Sequence, residues 1–457
     1  MRNTKATPYT SSPVLKDFLY YYEPVDKYSS LKGRELEVKK IVTGIQKRKD
    51  RNCLIYGDFG IGKSTIIDMV VSYTANQDME FVFFCLDINK LLSLKKENLH
   101  IVLSELSAFL SKKYENILII EDFGKILENE FIIDEIYSFV RNSSTSIIAE
   151  IDNASDEIED SIFNYFSEKL CVDSFCVYDV YDIIKCHIQE LADFHEVKIS
   201  KSLAQWIIYA SICFMPNENE PSRSLNTIDK VMAYAKIQGH SHVSKKDFFN
   251  AFAFENKTFR KMSYIQKYRT AIHEIGHLII YLVTEDMSEY LPVATTCIPC
   301  SGYVGRTYMD ADTDLLSLRD NEEFYIHLIA ALLGGKISEE IFGLPANGGC
   351  SEDLAKATKI AQDMATIYGF VSDQVAANDN SDETCNIGMA DNIDEDADEN
   401  LVSVAEFYAE EVLSKARNYA EEVILQHKDL ISTVAEELVK KGILTKLDFN
   451  KLFKAIL

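Results

Sequence analysis

The pattern of apolar and polar positions predicts a mostly helical chain with a few short strands near its start. Long stretches carry apolar residues at helical spacing, and one amphipathic helix begins at Lys32 and runs to about Gln46. The short apolar run from Asn52 to Tyr56 is typical of a buried strand. Further strand candidates lie at 81–87, 117–122, 145–151 and 170–177.

A glycine-rich motif follows the first predicted strand directly and precedes a helical pattern. Residues 57–64 fit G-x-x-x-x-G-K-[ST]. In such a loop the backbone N–H groups curl around phosphates, Lys63 reaches the terminal phosphates and Ser64 can hold Mg²⁺. The sequence therefore predicts a site for ATP with Mg²⁺. Its predicted residues in the loop are Gly57, Asp58, Phe59, Gly60, Ile61, Gly62, Lys63, Ser64 and Thr65.

The strand candidate at 117–122 ends in two acidic residues, Glu121 and Asp122, which we add to the nucleotide site. ATPases with this loop carry an Asp that supports magnesium, followed by a Glu that polarises the attacking water. Here the order is reversed, which alters the reach of each carboxylate by one methylene. Because positioning governs phosphoryl transfer, we expect ATP binding with slow hydrolysis.

A second motif with chemical meaning lies in the helical stretch from Tyr268 to Ile280. His273 and His277 are four residues apart, so a helix places both imidazoles on one face, where they can bind one metal ion while Glu274 faces a water on it. This arrangement is typical of zinc peptidases, in which zinc activates the water and the glutamate acts as general base. An amphipathic helix with two incidental histidines is the alternative that this motif alone leaves open.

Composition and charge narrow the possible functions. A chain of 457 residues with 47% hydrophobic content can form two to four domains, each with its own core. The formal net charge of −25 argues against a nucleic-acid partner, because no basic surface large enough to displace phosphate counterions is evident.

The distribution of cysteines predicts a reducing compartment, and the sequence shows no signal peptide or membrane-spanning run. No run of about 18 apolar residues occurs, and residues 1–13 lack the apolar core of a signal peptide, so we expect no membrane span. The ten cysteines are scattered without a repeated spacing, which predicts a cytoplasmic protein. Cys297 and Cys300 form a lone C-x-x-C pair, which we interpret as part of a strand, with redox chemistry as the minor alternative.

The C-terminal part of the chain changes character twice. Residues 372–400 contain no Lys or Arg, many acidic residues and no periodicity, which predicts a flexible acidic loop. Residues 401–457 return to helical spacing.

Residues 28–253 resemble a Clp-type AAA+ ATPase domain. The resemblance rests on Leu31 to Glu37, the loop at 57–64, the acidic strand end at 121–122 and the segment 187–202. It implies an N-terminal extension at 1–27, an α/β core with a parallel sheet at 28–178 and a helical lid at 179–254. Residues 221–225 resemble the lid segment whose arginine contacts bound nucleotide, which gives this role to Arg223; a surface arginine is the alternative.

Two departures from that family concern hydrolysis and substrate threading. The region where arginine fingers occur reads Asn164 to Phe166, and Lys169 is the one basic residue between Ala154 and Val177. Arginine fingers contribute several orders of magnitude to hydrolysis. The pore-loop region around 91–98 contains no aromatic residue to grip a substrate. Together with the reversed acidic pair, these departures predict nucleotide binding without fast ATP-driven threading.

Residues 263–457, after a linker at 255–262, resemble the peptidase domain of FtsH-type ATP-dependent zinc proteases. The resemblance implies a mainly α-helical zinc metallopeptidase domain in which Asp353 is the third zinc ligand, beside His273 and His277. Ser351 is a good helix cap, and a first-turn carboxylate is held ionised by the helix N-terminus. Glu339 and Glu340 are rival ligands. The blocks that carry the resemblance are 271–277, 301–304, 330–343, 349–358, 361–364 and 368–369.

The resemblance also implies partners and an assembly. A strand at 301–308 would hold protein or peptide substrates by strand addition at a sheet edge. A homohexamer would enclose the peptidase sites. Gly334 and Gly335 are interpreted as a point of close helix packing.

The expected protein is an ATP-dependent zinc metalloprotease without a membrane anchor. Two alternatives are a nucleotide-gated peptidase without powered unfolding, and a nonproteolytic AAA+ remodelling or scaffold protein.

Overall fold

The chain folds into two compact units, the first formed by Met1–Phe194 with Asn217–Asp229 and the second by His195–Pro216 with Lys230–Leu457. The predicted acidic loop up to residue 398, the linker from 255 to 261 and residues 300–302 lie outside the described part of the chain. The computed structural model describes residues 7–8, 11–24, 32–127, 133–142, 146–152, 164–253, 262–288, 290–299, 303–311, 321–345, 348–370 and 399–453.

A seven-stranded sheet forms the centre of the first unit, in the order β1-β2-β4-β5-β6-β3-β7. Strands β3 to β7 pair in parallel, whereas β2 adds to β4 in the antiparallel direction. The antiparallel pair of β1 and β2 therefore widens the parallel sheet. The strands are β1 Thr7–Pro8, β2 Leu19–Tyr21, β3 Cys53–Gly57, β4 Val82–Leu86, β5 Asn116–Ile120, β6 Ser146–Asp152 and β7 Glu168–Cys171.

Four of the five predicted strands match within three residues at each end, and the fifth is shorter than expected. The pattern predicted a strand from 170 to 177, but β7 ends at Cys171. Its partner explains the difference: β7 pairs with β3, and β3 ends at Gly57, where the glycine-rich loop turns away from the sheet.

Both faces of this sheet are covered, which explains the continuous apolar runs of its strands. Cys53 and Ile55 face one apolar cluster and Leu54 faces the other. The helices of the unit are α1 Glu35–Ile45, α2 Lys63–Asn76, α3 Ile88–Leu92, α4 Lys96–Leu110, α5 Gly124–Leu127, α6 Ile133–Asn142 and α7 Val180–His195.

The rest of the described chain is mainly helical, as the sequence predicts. Its helices are α8 Lys201–Ser211, α9 Ser222–Ile237, α10 Lys245–Ala253, α11 Tyr264–Val283, α12 Glu322–Ile341, α13 Ser351–Thr366, α14 Glu399–Gln426, α15 Lys428–Lys441 and α16 Lys446–Leu452. Within the described ranges, no helix has the length and apolar content that a membrane crossing requires.

A small antiparallel sheet completes the second unit, in the order β10-β8-β9. In this order β9 is an edge strand. Its strands are β8 Tyr290–Thr296, β9 Arg306–Ala311 and β10 Ile443–Thr445.

Helices α11 and α12 cross closely in the core of the second unit. A Cβ on Gly276 would lie 2.5 Å from the carbonyl oxygen of Gly334, so only glycines allow this approach. Helix α11 begins with a capping box, in which Ser263 and Gln266 each bond the backbone N–H of the other. Apolar residues of α11, α12 and α14 then form the core, including Ile272, Ile279, Ile337 and Val412.

Candidate metal site and phosphate loop

Helices α11 and α13 bring the three predicted zinc ligands together in the second unit. His273 Nε2 and His277 Nε2 are 3.0 Å apart. Asp353 Oδ2 lies 3.4 Å from the first nitrogen and 3.5 Å from the second. These three atoms form a compact triangle at the wall of a cavity of about 190 Å³.

The triangle fits a zinc ion in size and in ligand type. Zinc sits 2.0–2.1 Å from nitrogen and oxygen ligands in a tetrahedron, which places neighbouring ligand atoms about 3.3 Å apart. Three protein ligands leave one coordination position for water or substrate, as catalytic zinc sites do.

Gly335 keeps the space in front of the two histidines clear. A Cβ at this position would lie 2.6 Å from His273 Nε2 and closer still to His277 Nε2. The packing interpretation therefore holds for Gly334, but Gly335 has a different role that the sequence analysis missed. A helical glycine pair carries no signal that separates these two roles.

Each histidine is oriented by a hydrogen bond from its other ring nitrogen. His277 Nδ1 donates to the carbonyl oxygen of Ala331 at 2.7 Å. His273 Nδ1 donates to Glu339 Oε1 at 2.9 Å. Both bonds place a proton on Nδ1, so both Nε2 atoms face Asp353, where a metal ion can take the place of the proton that either Nε2 would otherwise share with the carboxylate.

Glu339, which the sequence left open as a rival ligand, lies on the far side of His273. Arg269 donates to Glu339 Oε2 from Nε at 2.9 Å and from Nη2 at 2.6 Å. Burial disfavours the charge of Glu339, but the hydrogen bonds from His273 and Arg269 outweigh it and hold the pKa of Glu339 below its usual range. Glu340, the other rival, is exposed and pairs with Arg417.

The electrostatics of the triad favour a positive charge between its members. Burial opposes protonation of His273, but hydrogen bonds to Asp353 and Glu339 outweigh it and raise the pKa of His273 to about 10. For Asp353, hydrogen bonds from His273 and His277 likewise outweigh burial and hold its pKa far below the usual range. A cation placed here therefore meets an ionised carboxylate and two aligned imidazoles.

Glu274 lies beside the triad and is held in place by β9. Its side chain is almost fully buried, with 6% of the residue exposed. Thr307 Oγ1 donates to Glu274 Oε2 at 2.9 Å. Burial raises the pKa of Glu274, which makes its carboxylate a stronger base. The sequence analysis did not identify Thr307, because no motif links it to Glu274.

Asp353 sits in the first turn of α13, but the helix start differs from the predicted one. Ser351 is the first helical residue and Cys350 occupies the cap position without a side-chain hydrogen bond. The short 3₁₀ turn Gly348–Cys350 runs directly into α13, so no residue with a free capping hydroxyl precedes the helix. The predicted cap at Ser351 is therefore wrong.

The strand predicted to hold substrate begins later than expected. Residues 301–302 lie outside the described chain, and β9 begins at Arg306. Its backbone pairs with β8 on one side only within the described chain. Tyr303, Arg306 and Met309 line the cavity next to Glu274.

In the first unit, the glycine-rich loop connects β3 to α2. Gly60 and Gly62 adopt φ values of 86° and 98°, a left-handed conformation that favours glycine. Lys63 Nζ donates to the carbonyl oxygens of Gly57 and Asp58 at 2.8 and 2.7 Å. The same ammonium pairs with Asp152 at 2.6 Å. The loop thus has the strand, turn and helix context that phosphate binding requires.

The predicted nucleotide-site residues Glu121, Asp122 and Ser64 each contact a partner outside this set. Asp122 adopts a φ of 54° and pairs with Lys125 at 2.7 Å. Glu121 accepts a long hydrogen bond of 3.4 Å from the hydroxyl of Tyr22. Ser64 Oγ contacts Glu150, whose two carboxylate oxygens each lie 2.9 Å away. Glu150 and Asp152 were missed, although two acids in an apolar strand were a visible signal.

Arg223 lies in a segment that packs against the glycine-rich loop. Ser222 N donates to the carbonyl oxygen of Gly60 at 3.3 Å. Arg223 itself is buried, and its Nη2 donates to Glu220 Oε1 at 2.6 Å. Arg223 therefore lies near the glycine-rich loop, and its guanidinium forms an ion pair with Glu220.

Comparison with known proteins matches one part of the chain to a family. Residues 260–452 match the family model of Peptidase family M41. The ATP-dependent zinc metalloprotease FtsH of Corynebacterium glutamicum is 28% identical over 194 residues, which is 42% of this chain and 22% of the relative.

Two further relatives carry similar names. The ATP-dependent zinc metalloprotease FtsH of Chloroflexus aggregans is 26% identical over 248 residues, or 52% of this chain and 36% of that protein. The ATP-dependent zinc metalloprotease YME1 homolog of Caenorhabditis elegans is 34% identical over 112 residues, or 24% and 15% of the two chains.

The matched segment contains the metal triad, Glu274 and β9. The chain spans between 15% and 36% of the length of the curated relatives that it matches. Residues 260–452 are therefore similar to a peptidase M41 domain, and the chain is similar to ATP-dependent zinc metalloproteases of the FtsH type.

Proposed function

We propose that this chain is an ATP-dependent zinc metalloprotease that hydrolyses peptide bonds in protein substrates. The triad of His273, His277 and Asp353 beside the buried carboxylate of Glu274 carries this proposal. Zinc bound there supplies a Lewis acid that lowers the pKa of water and polarises a carbonyl.

The chain's own residues divide the remaining work. Glu274 takes a proton from the attacking water and returns it to the leaving amine. Thr307 fixes the rotamer of Glu274 through its hydrogen bond. Glu339, held by Arg269, orients His273 and makes its Nε2 a stronger donor to the metal.

Substrate binding is assigned to the edge strand β9. An extended peptide can add to its free edge through backbone hydrogen bonds, while side-chain pockets select the residues beside the scissile bond. Because β9 carries Thr307, a peptide aligned on this strand lies next to Glu274.

The first unit is assigned to nucleotide binding. The order of its sheet, in which β6 lies between β3 and β5, supports a Clp-type AAA+ core at 28–178. The proposal adds a helical lid at 179–254. Arg223 is assigned to nucleotide contact after exchange of its partner Glu220. Hydrolysis is slow in this proposal, because Asp122 pairs with Lys125 and the arginine and aromatic residues of the family are missing. A cytoplasmic homohexamer is part of the same proposal.

Casein cleavage by the purified full chain tests the peptidase assignment. We expect Glu274→Gln to lower the cleavage rate by about 10²–10⁴-fold, because general acid–base catalysis is lost. The zinc content of this variant should equal that of the wild type, since Glu274 is not a ligand. Equal cleavage by both proteins would refute the assignment.

The reversed acidic pair Glu121–Asp122 and the missing arginine finger favour a second function, a nucleotide-gated peptidase. In this alternative, nucleotide binding orders or gates the peptidase without powering unfolding. A steady ATPase rate that unfolded protein stimulates would exclude it.

A further inference from the structure

Glu150 is a buried carboxylate in the middle of an apolar strand. Only 8% of the residue is exposed, and its neighbours Ala149 and Ile151 are fully apolar. The register of the sheet sets Glu150 beside Ile55 of β3, two residues before the glycine-rich loop begins. A buried charge is costly unless a partner or a cation compensates it.

The position of Glu150 suits a metal ion at Ser64. Its two oxygens lie 2.9 Å from Ser64 Oγ. Neighbouring ligands of an octahedral Mg²⁺ are also about 2.9 Å apart, because each stands 2.0–2.1 Å from the ion at a right angle. The hydroxyl and one carboxylate oxygen can therefore share one ion without movement of α2 or β6.

A second acid lies on the same face of β6. Side chains two residues apart point to the same side of a strand, and Asp152 pairs with Lys63 at 2.6 Å. Lys63 and Ser64 are the residues of the glycine-rich motif that are predicted to contact phosphate and Mg²⁺. Each of them thus contacts a carboxylate of β6.

The acids at the end of β5 have other partners. Asp122 adopts a positive φ and pairs with Lys125. Glu121 Oε1 lies 3.4 Å from the hydroxyl of Tyr22, which is 2.7 Å from Asp68 Oδ1. Both acids at the end of β5 thus contact side chains other than Ser64.

We propose that Glu150, together with Ser64, holds the Mg²⁺ ion that accompanies the nucleotide, in place of the acidic pair at the end of β5. The inference rests on the proposed nucleotide binding of the first unit. It assigns the metal-supporting carboxylate to the neighbouring strand.

Equilibrium binding of a fluorescent ATP analogue to the full chain tests this role. The analogue is titrated first in EDTA and then at rising Mg²⁺ concentration. We expect Glu150→Gln to need about tenfold more Mg²⁺ than the wild type for half-maximal tightening, as loss of a metal-supporting group does. Its affinity in EDTA should be unchanged or higher, because a negative charge near the phosphates is removed.

Glu168→Gln, which removes a carboxylate that pairs with Lys47, is the control and should keep the Mg²⁺ requirement of the wild type. Glu121→Gln tests the rival assignment to β5, and the proposal expects no change in its Mg²⁺ requirement. Binding of Mn²⁺ in the presence of ATP, followed by electron paramagnetic resonance, gives a direct second readout that only Glu150→Gln should weaken. Binding in EDTA shows that the variant is folded. If Glu150→Gln does not bind the analogue in EDTA, Glu150→Asp is used instead. A raised Mg²⁺ requirement in Glu150→Asp then supports the role of Glu150 in holding Mg²⁺.

Three results would overturn the inference in distinguishable ways. A raised Mg²⁺ requirement in Glu121→Gln alone would assign the role to β5. Equal requirements in all proteins would leave Glu150 with a purely structural contact to Ser64. No binding of the analogue by the wild type in EDTA or Mg²⁺ would refute nucleotide binding itself.

Discussion

At the scale of single residues, the metal site depends on the absence of a side chain at Gly335. We expect Gly335→Ala to weaken zinc binding by more than about 100-fold, because its Cβ would stand between the two imidazoles and the metal. Zinc affinity can be measured by competition with a chromophoric chelator. Gly348→Ala is the control, since a Cβ there meets open space, and a similar loss in both variants would contradict the explanation.

Glu339 and its neighbour Glu340 on α12 allow a matched test of whether Glu339 orients His273. Glu339→Gln should lower zinc affinity by about 10–100-fold, because the partner that orients His273 loses its charge. Glu340→Gln should leave affinity unchanged, since Glu340 pairs with Arg417 at the surface. Equal affinities in both variants, measured with the same chelator, would exclude an orienting role for Glu339.

The sequence identified those site residues whose spacing follows a helix. His273, Glu274 and His277 share one helix, so local periodicity was enough to group them. Asp353 lies 76 residues beyond His277 and came only from family resemblance. Glu339 was named as a rival ligand, because the sequence cannot show which ring nitrogen a carboxylate faces. Thr307 and Glu150 act across strands, where no local period marks them.

At the scale of elements, the crossing of α11 and α12 sets the geometry of the site. Gly276→Ala should lower the free energy of unfolding of the second unit by about 1–3 kcal/mol, because the added methyl overlaps the backbone of Gly334. Urea unfolding followed by circular dichroism measures this change. A variant as stable as the wild type would show that the two helices can separate without cost.

The start of α16 gives a stability prediction that depends on pH. Asp448 accepts hydrogen bonds from Thr445 N at 3.1 Å and Lys441 Nζ at 3.0 Å. Burial disfavours its charge, but the backbone N–H of Thr445 and the Lys441 ammonium outweigh burial and lower the pKa of Asp448. Because the folded pKa is the lower one, this stabilisation is present above the ordinary pKa of aspartate and is lost as pH falls through the folded value.

Asp448→Asn should therefore lower the free energy of unfolding by about 1 kcal/mol at pH 7. The difference from the wild type should shrink as the pH falls below about 4, where the carboxyl of the unfolded chain becomes protonated first and the folded one only at lower pH. Urea unfolding at both pH values measures it. Glu411→Gln is the control, because its exposed ion pair with Lys415 should contribute less than about 0.5 kcal/mol. A penalty that does not change with pH would contradict the electrostatic explanation.

Elements were easier to predict than their ends and partners. Buried strands such as β3 and β5 have continuous apolar runs, so the sequence pattern predicted them. The end of β7 is set by the length of β3, and the residues of the short β2 pair with residues of β4 that lie 63–67 positions later, so neither feature is encoded in a local pattern. The start of α13 was missed for a similar reason, since the preceding 3₁₀ turn supplies it.

At the scale of the whole molecule, the two units suggest a peptidase whose activity responds to nucleotide. If nucleotide gates the peptidase without powering unfolding, unfolded casein should be degraded equally with ATP and with a nonhydrolysable analogue, because binding alone is then sufficient. A folded model substrate should persist in both. Glu274→Gln serves as the blank. Loss of the folded substrate only with hydrolysable ATP would show that the first unit powers unfolding.

The division of the chain into a nucleotide-binding domain and a peptidase domain remains a prediction from motifs, and the assembly remains one from resemblance. Both key motifs lie next to predicted elements of the expected type, so each could be assigned to its own unit. The hexamer comes from resemblance alone, because the contacts of a ring involve surfaces without a sequence pattern.

The position of zinc is the most direct test of the proposed function. Crystals of the purified full chain, measured at the zinc absorption edge, should show one anomalous peak bonded at about 2.0–2.2 Å to His273 Nε2, His277 Nε2 and a carboxylate oxygen of Asp353. Zinc bound at any other group, or Glu339 in the place of Asp353, would contradict the assignment of the site.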